Sequence, residues 1–255
     1  MAILLEAQNI KKNYVTRFGG QRVEALRDVS FTVEEGEFVV IMGESGSGKT
    51  TLLNILAALD RPSSGAVRLD GRDLSRVPQK ELAAFRRDHL GFVFQDFNLL
   101  DTFSLKDNIL LPLVLARRSV RELDQLLDTT ARRLGIQELL EKYPYEVSGG
   151  QKQRASVARA LITSPKLILA DEPTGQLDSR SADGLMNLFQ EIHHGGQTIV
   201  MVTHSARAAS RASRVLFIRD GMLFHQLHRG DDGDEALYGK ISDTLKLLAS
   251  GGDRA

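Results

Sequence analysis

The residue pattern of this 255-residue chain predicts an α/β fold, a mostly parallel core with a helical subdomain inserted into it. Three observations predict it. A continuous apolar run lies at 38–42, the pattern of a strand buried on both faces, and buried-strand character returns at 165–172 and 197–203. Helical stretches separate those runs, at 48–60 and again at about 181–193. Between them, residues 97–163 read as mostly helical.

Each element has its own signal. Residues 3–14 and 22–43 read as β-rich; Val29, Phe31 and Val33 alternate with Ser30, Thr32 and Glu34, the period of a half-buried strand. Glu35-Gly36 turns the chain into EFVVIMG. A helix is expected from Gly48 to about Asp60, with Leu52, Leu53, Ile55 and Leu56 on its apolar side. Arg61-Pro62-Ser63-Ser64-Gly65 ends it, and AVRLDGRDL reads as a short hairpin. In the helical stretch Leu123, Leu126, Leu127 and Leu134 fall near one face. Arg214–Leu227 reads as a hairpin turning at Asp220-Gly221. Residues 1–229 are expected to form one domain, with its helical subdomain at about 97–163. Residues 230–255 are expected to be an acidic linker plus an amphipathic helix carrying Leu237, Ile241, Leu245 and Leu248.

Bulk composition removes several function classes. Lys+Arg and Asp+Glu number 33 each, so the formal net charge is zero, which argues against a nucleic-acid binder that works by neutralising phosphates. With no cysteine, disulfides and thiolate metal sites are excluded. The N-terminal MAILLEAQ lacks the basic and apolar regions of a secretory signal. No apolar run approaches the roughly 20 residues needed to cross a bilayer, so any membrane work is expected to need a separate spanning subunit.

The chemistry concentrates in a few places. GESGSGKT at 43–50 has the form G-x-x-x-x-G-K-[ST], lying between a buried strand and an amphipathic helix. Gly43, Gly46 and Gly48 give the backbone freedom to turn N–H groups inward around phosphates, with Glu44, Ser45 and Ser47 filling the loop. Lys49 places a cation on the β- and γ-phosphates, Thr50 offers a hydroxyl to Mg²⁺, and Thr51 continues the first helical turn. The strand LILA ends in Asp171-Glu172: Asp171 suits Mg²⁺ held through water, and Glu172 suits polarisation of an attacking water. Taken alone, such an acidic pair reads as a solvated turn; the phosphate loop in the same chain changes that. Gln95 follows the strand GFVF and is placed for Mg²⁺ or the lytic water; His204 follows IVMVT and is placed to donate to a γ-phosphate. His89, His193, His194, His225 and His228 read as structural or surface residues. Tyr14, at the end of the first strand, either stacks on adenine or covers apolar surface as a rim aromatic. Ser148 is a natural N-cap, and with Gly149, Gly150 and Gln151 it opens a helix able to meet an anion.

In order along nearly the whole chain, these motifs resemble the ATP-binding cassette superfamily: Tyr14 as the aromatic loop, GESGSGKT as Walker A, Gln95 as the Q-loop, VSGGQ (Val147, Ser148, Gly149, Gly150, Gln151) as the signature, LILADE as Walker B, Leu177-Asp178 as the D-loop and His204 as the switch histidine. The resemblance implies a P-loop NTPase (RecA-like) core with an N-terminal antiparallel β-subdomain and the inserted α-helical subdomain, using ATP and Mg²⁺. It also implies a head-to-tail homodimer in which Ser148 and Gly150 of one copy meet the γ-phosphate held by Lys49 of the other, with Glu172 as general base. Two positions depart from the pattern: Val147 stands where Leu is usual, and Gln176 where Asn is common. SGSGKTTLLNILAALDRPSSG and DEPTGQLDS resemble the branch of lipoprotein-releasing, macrolide-exporting and cell-division cassettes. The C-terminal part is similar to bacterial cassettes of the bacitracin-export type, which pair with a large permease and often a sensor histidine kinase. That implies a peripheral location on the cytoplasmic face of the plasma membrane, with the permease received after Gln95, where Phe97, Leu99, Leu100, Phe103 and Leu105 are the apolar candidates. A regulatory, force-transmitting cassette with little net transport is the competing expectation. A soluble DNA-repair or translation cassette is disfavoured because no second cassette or coiled-coil insertion is present, and a GTPase because no Asn-Lys-x-Asp motif is.

Overall fold

The structure is a computed structural model in which residues 2–15, 20 and 22–250 are described. Along the chain run β1 (Ile3–Val15), β2 (Arg22–Glu34), β3 (Phe38–Met42), α1 (Lys49–Leu56), β4 (Ser64–Leu69), β5 (Arg72–Asp73), α2 (Leu82–His89), β6 (Leu90–Val93), α3 (Leu105–Leu115), α4 (Val120–Leu134), α5 (Gly149–Leu161), β7 (Leu167–Asp171), α6 (Ser179–His194), β8 (Thr198–Val202), α7 (Ala206–Ala209), β9 (Arg214–Arg219), β10 (Met222–His228) and α8 (Asp234–Ser250). Two compact units divide the chain, Met1–Val77 with Val200–Ala255, and Pro78–Ile199. The outer limits of the expected domains, residues 1 and 255, lie outside the described residues.

In the first unit the sheet is mixed and runs β5-β4-β1-β2-β10-β9-β3. β1 and β2 form a long antiparallel ribbon, β9 and β10 an antiparallel hairpin, and β3 lies parallel to β9 with Val39 opposite Arg214. The expected alternation is real: Val29 and Val33 are fully buried and Phe31 nearly so, while Ser30 and Glu34 face solvent. All five residues of β3 are buried, as a strand covered on both sides requires. Arg214 is buried with its guanidinium on the Thr32 carbonyl and paired to Glu37 at 2.7 Å, so neither charge is left uncompensated. After the hairpin the acidic segment is tied down, because Asp234 accepts from Arg211 at 2.7 Å and Arg229 at 2.8 Å. α8 then lays Leu237, Ile241 and Leu248 into this unit against α7, while Leu245 stays partly covered.

The second unit carries the helical stretch. β6 runs parallel to β7, with Leu90 opposite Leu167. Against them α5 packs so closely that a Cβ on Gly91 would lie 2.5 Å from the Ala160 carbonyl oxygen. α4 is bounded by a Ser119/Glu122 capping box and by Gly135, left-handed at φ 64°. It buries Leu127, Ala131 and Leu134, with Leu123 and Leu126 half-covered along the same face.

Three expectations differ in detail. α1 stops at Leu56 instead of near Asp60, because Ala58 turns left-handed at φ 52° and the amides of Leu59 and Asp60 fold back onto the Asn54 carbonyl. α2 had no sequence signal: it is two turns long and buries only Leu82 and Phe85, too few residues to establish a period. Residues 97–104 are not helical; Phe97 and Asn98 are both left-handed, and Leu105, expected among the surface apolar residues, is fully buried.

Candidate functional site

The first unit builds the phosphate loop from the end of β3. Gly43 must be glycine: a Cβ there would lie 2.2 Å from the Ile218 carbonyl oxygen on the neighbouring β9. Gly48 sits at φ 100°, and a Cβ would lie 2.5 Å from the Ala25 carbonyl oxygen. Gly46, at φ 79°, has nothing within 4 Å of its Cβ position, so the middle of the loop is open. The Ser47 amide donates to the Glu44 carbonyl at 3.2 Å, closing the turn, and the Ser47 carbonyl accepts from Gly221 N–H at 3.2 Å. Lys49 folds over the loop and donates to the carbonyls of Gly43 (2.9 Å) and Glu44 (2.7 Å). Glu44, Ser45 and Thr50 are exposed, Thr51 is half-buried, and no side chain caps the N-terminus of α1. A group arriving at the loop therefore meets a helix N-terminus and a lysine at once.

His204 belongs to the same neighbourhood. The buried Thr203 amide donates to the Ile41 carbonyl at 3.2 Å, which fixes the end of β8 beside the strand that feeds Gly43. Ser205 donates to Thr203 Oγ1 at 3.1 Å and caps α7, leaving His204 exposed between two anchored residues. Tyr14 closes β1, the residue 41% exposed and its hydroxyl donating to Asp60 Oδ2 at 2.9 Å. Lys12 Nζ pairs with Asp60 at 2.6 Å and stands 4.8 Å from the Tyr14 ring centroid. Burial, then the bond to Asp60, raises the Tyr14 phenol above its ordinary pKa. Burial alone would raise the Asp60 carboxyl, but hydrogen bonds from Lys12, Tyr14 and the Arg61 amide outweigh it and hold that carboxyl below its usual range.

The second unit brings Gln95 and the acidic pair together. Gln95 follows β6 on an exposed turn, and a Cβ on Gly175 would lie 3.1 Å from its Nε2. Asp171 ends β7, half-buried. Glu172 is left-handed at φ 44°, and its carbonyl accepts from Gly175 N–H at 2.9 Å. The link between the two segments is Gln153, which the sequence reading did not single out. Fully buried on α5, it donates through Nε2 to the carbonyls of Phe94 (3.2 Å) and Pro173 (2.8 Å), the neighbours of Gln95 and Glu172. Its only sequence signal was an amide placed among the small apolar residues of that helix. Gln176 bonds Asp96, so the departure at that position ties the Glu172 loop to the Gln95 turn.

Ser148 caps α5 as expected, with a reciprocal box in which its hydroxyl accepts from Gln151 N–H (3.3 Å) and its amide donates to Gln151 Oε1 (2.9 Å). Val147 precedes it, half-buried. Gly149 and Gly150 leave room for the start of α6, since Cβ atoms there would approach Leu177 Cδ2 to 3.5 Å and Ser181 Oγ to 3.2 Å. Asp178 caps α6 through Ser181, and those bonds lower its pKa. Among the described residues there is no cluster of three or more His, Cys, Asp or Glu able to hold a metal by themselves, and no helix is long and apolar enough to cross a membrane.

A family model described as ABC transporter matches residues 26–175. The bacitracin export ATP-binding protein BceA of Halalkalibacterium halodurans is 50% identical over 246 residues, 96% of each chain. The ABC transporter ATP-binding protein YxdL of Bacillus subtilis is 48% identical over 249 residues, 97% of this chain and 95% of that one. Among solved structures, a dimeric post-hydrolysis state of the ATP-binding cassette MJ0796 with ADP and Pi superposes with TM-score 0.80 at 36% identity, covering 88% of this chain and 98% of that one.

Proposed function

The chain belongs to the ABC transporter family, and from that premise we propose that it is the ATP-hydrolysing subunit of a bacterial exporter or detoxification system for bacitracin-like antimicrobial peptides. The observation that carries this reading is identity of one half, from end to end, to a bacitracin export ATP-binding protein.

The loop fits a nucleotide's phosphates. Ser47 Oγ is buried without a hydrogen-bond partner, and the Lys49 ammonium rests on two loop carbonyls that phosphate oxygens would outcompete for its charge. We assign the phosphates to Gly43–Thr51 and the purine to Tyr14. Mg²⁺ suits the Thr50 hydroxyl, Gln95 and Asp171, because this ion takes one or two carboxylates and completes its shell with phosphate and water. An ion held by these residues would supply positive charge against the phosphates. Glu172 accepts the proton of the attacking water, His204 donates to the γ-phosphate, and Lys49 with the α1 N-terminus stabilises the charge that develops there.

A second copy supplies Val147–Gln151 and Asp178, so the working unit is a homodimer with two ATP sites. The permease docks after Gln95, where Leu100 and Phe103 are 45% and 40% exposed, and holds the cassette on the cytoplasmic face of the plasma membrane. A sensor histidine kinase joins through that permease. Reconstitution of the chain with its co-purifying permease in vesicles tests the reading. ATP-dependent movement or release of bacitracin supports export. ATPase-dependent kinase activation with no peptide movement replaces export with the regulatory, force-transmitting role.

A further inference from the structure

Lys12, Tyr14 and Asp60 form a closed cluster in the unit that carries the phosphate loop. Lys12 and Tyr14 are two apart on β1 and so project to one side of the strand. Asp60 lies just beyond α1, held by the turn that returns its amide to the Asn54 carbonyl at 3.1 Å. Both carboxylate oxygens are used: Oδ1 accepts from Lys12 (2.6 Å) and the Arg61 amide (2.7 Å), and Oδ2 accepts from the Tyr14 hydroxyl (2.9 Å). Lys12 also donates to the Arg61 carbonyl at 2.8 Å, and the Tyr14 hydroxyl reaches the Thr51 side chain in the first turn of α1.

Two consequences follow from this wiring. First, the ring is registered to α1 at both ends, through Thr51 at its start and Asp60 past its close, and α1 is the helix that begins at Lys49. The spacing between a flat stacking surface and the phosphate loop is therefore set by one short rigid element. Second, an ammonium 4.8 Å from the centroid occupies one face of the ring, and Tyr14 is still 41% exposed. A phenol polarised by a cation on its far side suits an electron-rich purine.

We propose that Asp60 is a positioning residue for the purine base: with Lys12 it locks the Tyr14 ring at one angle and one height above the phosphate loop, and so sets affinity for ATP and not turnover. The proposal rests on Tyr14 being the base-stacking residue. It predicts an effect only on ligands that carry a base.

The test measures binding of ATP and of inorganic tripolyphosphate, which has the charges but no base, to the full chain and its D60A, Y14A and D60A/Y14A variants. D60A is expected to weaken ATP by about 5-fold or more, the low end of what losing a base–aromatic stack costs. Tripolyphosphate binding and kcat at saturating ATP should stay within about twofold of wild type, and D60A should cost nothing further once Tyr14 is gone, the signature of one shared interaction. If D60A binds ATP like wild type while Y14A does not, the anchoring role is wrong and the stacking reading survives. Parallel weakening of tripolyphosphate would also overturn the proposal, because the residue would then act on the phosphate loop. Wild-type ATP affinity in Y14A removes the stacking reading and this inference with it. Should D60A fail to fold, D60N and K12M, which give up the ion pair but keep the chain's packing, enter the same titrations; unchanged ATP affinity in both overturns the proposal.

Discussion

Glu172 occupies a left-handed backbone conformation, φ 44°, that costs a non-glycine residue about 1–3 kcal/mol and persists only where the surroundings enforce it. Here the Gly175 amide on its carbonyl and the Gln153 amide on the next carbonyl do the enforcing. On the proposal that this carboxylate is the general base, E172Q should still bind ATP but turn over at least about 100-fold more slowly in a steady-state assay; hydrolysis at the wild-type rate removes the assignment. Asp60 gives the pH dependence at this scale. Its folded pKa is depressed, so its contribution to stability is fully present above the unfolded value near 3.9 and is lost as pH falls through the folded value. In urea melts, the gap between wild type and D60N should therefore be widest at pH 5–7 and should shrink below about pH 4. The places of Asp171, Glu172, Lys49 and His204 in the fold were legible in the sequence, because each follows an apolar strand or sits in a fixed-spacing loop. Gln153 was not, since nothing in a helix sequence says which two carbonyls its amide will meet.

Among the elements, strands proved easier to read than helix ends. β3, β7 and β8 announce themselves as apolar runs, and the β9–β10 hairpin by its Asp220-Gly221 turn. The close of α1 depends on Ala58 adopting a left-handed conformation, which no residue preference foretells, and α2 is too short to show a period. Gly91 illustrates a constraint visible only in three dimensions. It is an unremarked glycine in β6, yet α5 crosses at a distance where a Cβ would stand 2.5 Å from a carbonyl oxygen. Gly91→Ala must push α5 away, and α5 carries both the Ser148 cap and Gln153. A loss of about 1–3 kcal/mol is expected from chemical denaturation, the cost of overpacking a close contact, together with lower ATPase activity; a neutral result would show that the helix yields freely.

At the scale of the molecule, the site as assigned is incomplete in one copy, because the Lys49 loop and the Ser148 cap are proposed to serve different nucleotides. E172Q with ATP and Mg²⁺ should elute as a dimer in size-exclusion chromatography with light scattering. A monomer at every ATP concentration would remove the two-copy mechanism. The sequence by itself determined the nucleotide chemistry and the family, because phosphate recognition by backbone needs glycines, a lysine and a hydroxyl at fixed local spacing, and local spacing is what a sequence records. Tertiary structure alone decided the anchoring of Tyr14 by Asp60, the bracing of the Gln95 and Glu172 segments by Gln153, and the tying of the acidic segment by Arg211 and Arg229. All but the Arg229–Asp234 pair join residues twenty or more positions apart, and a side chain's partner across such a gap is fixed by how the elements pack.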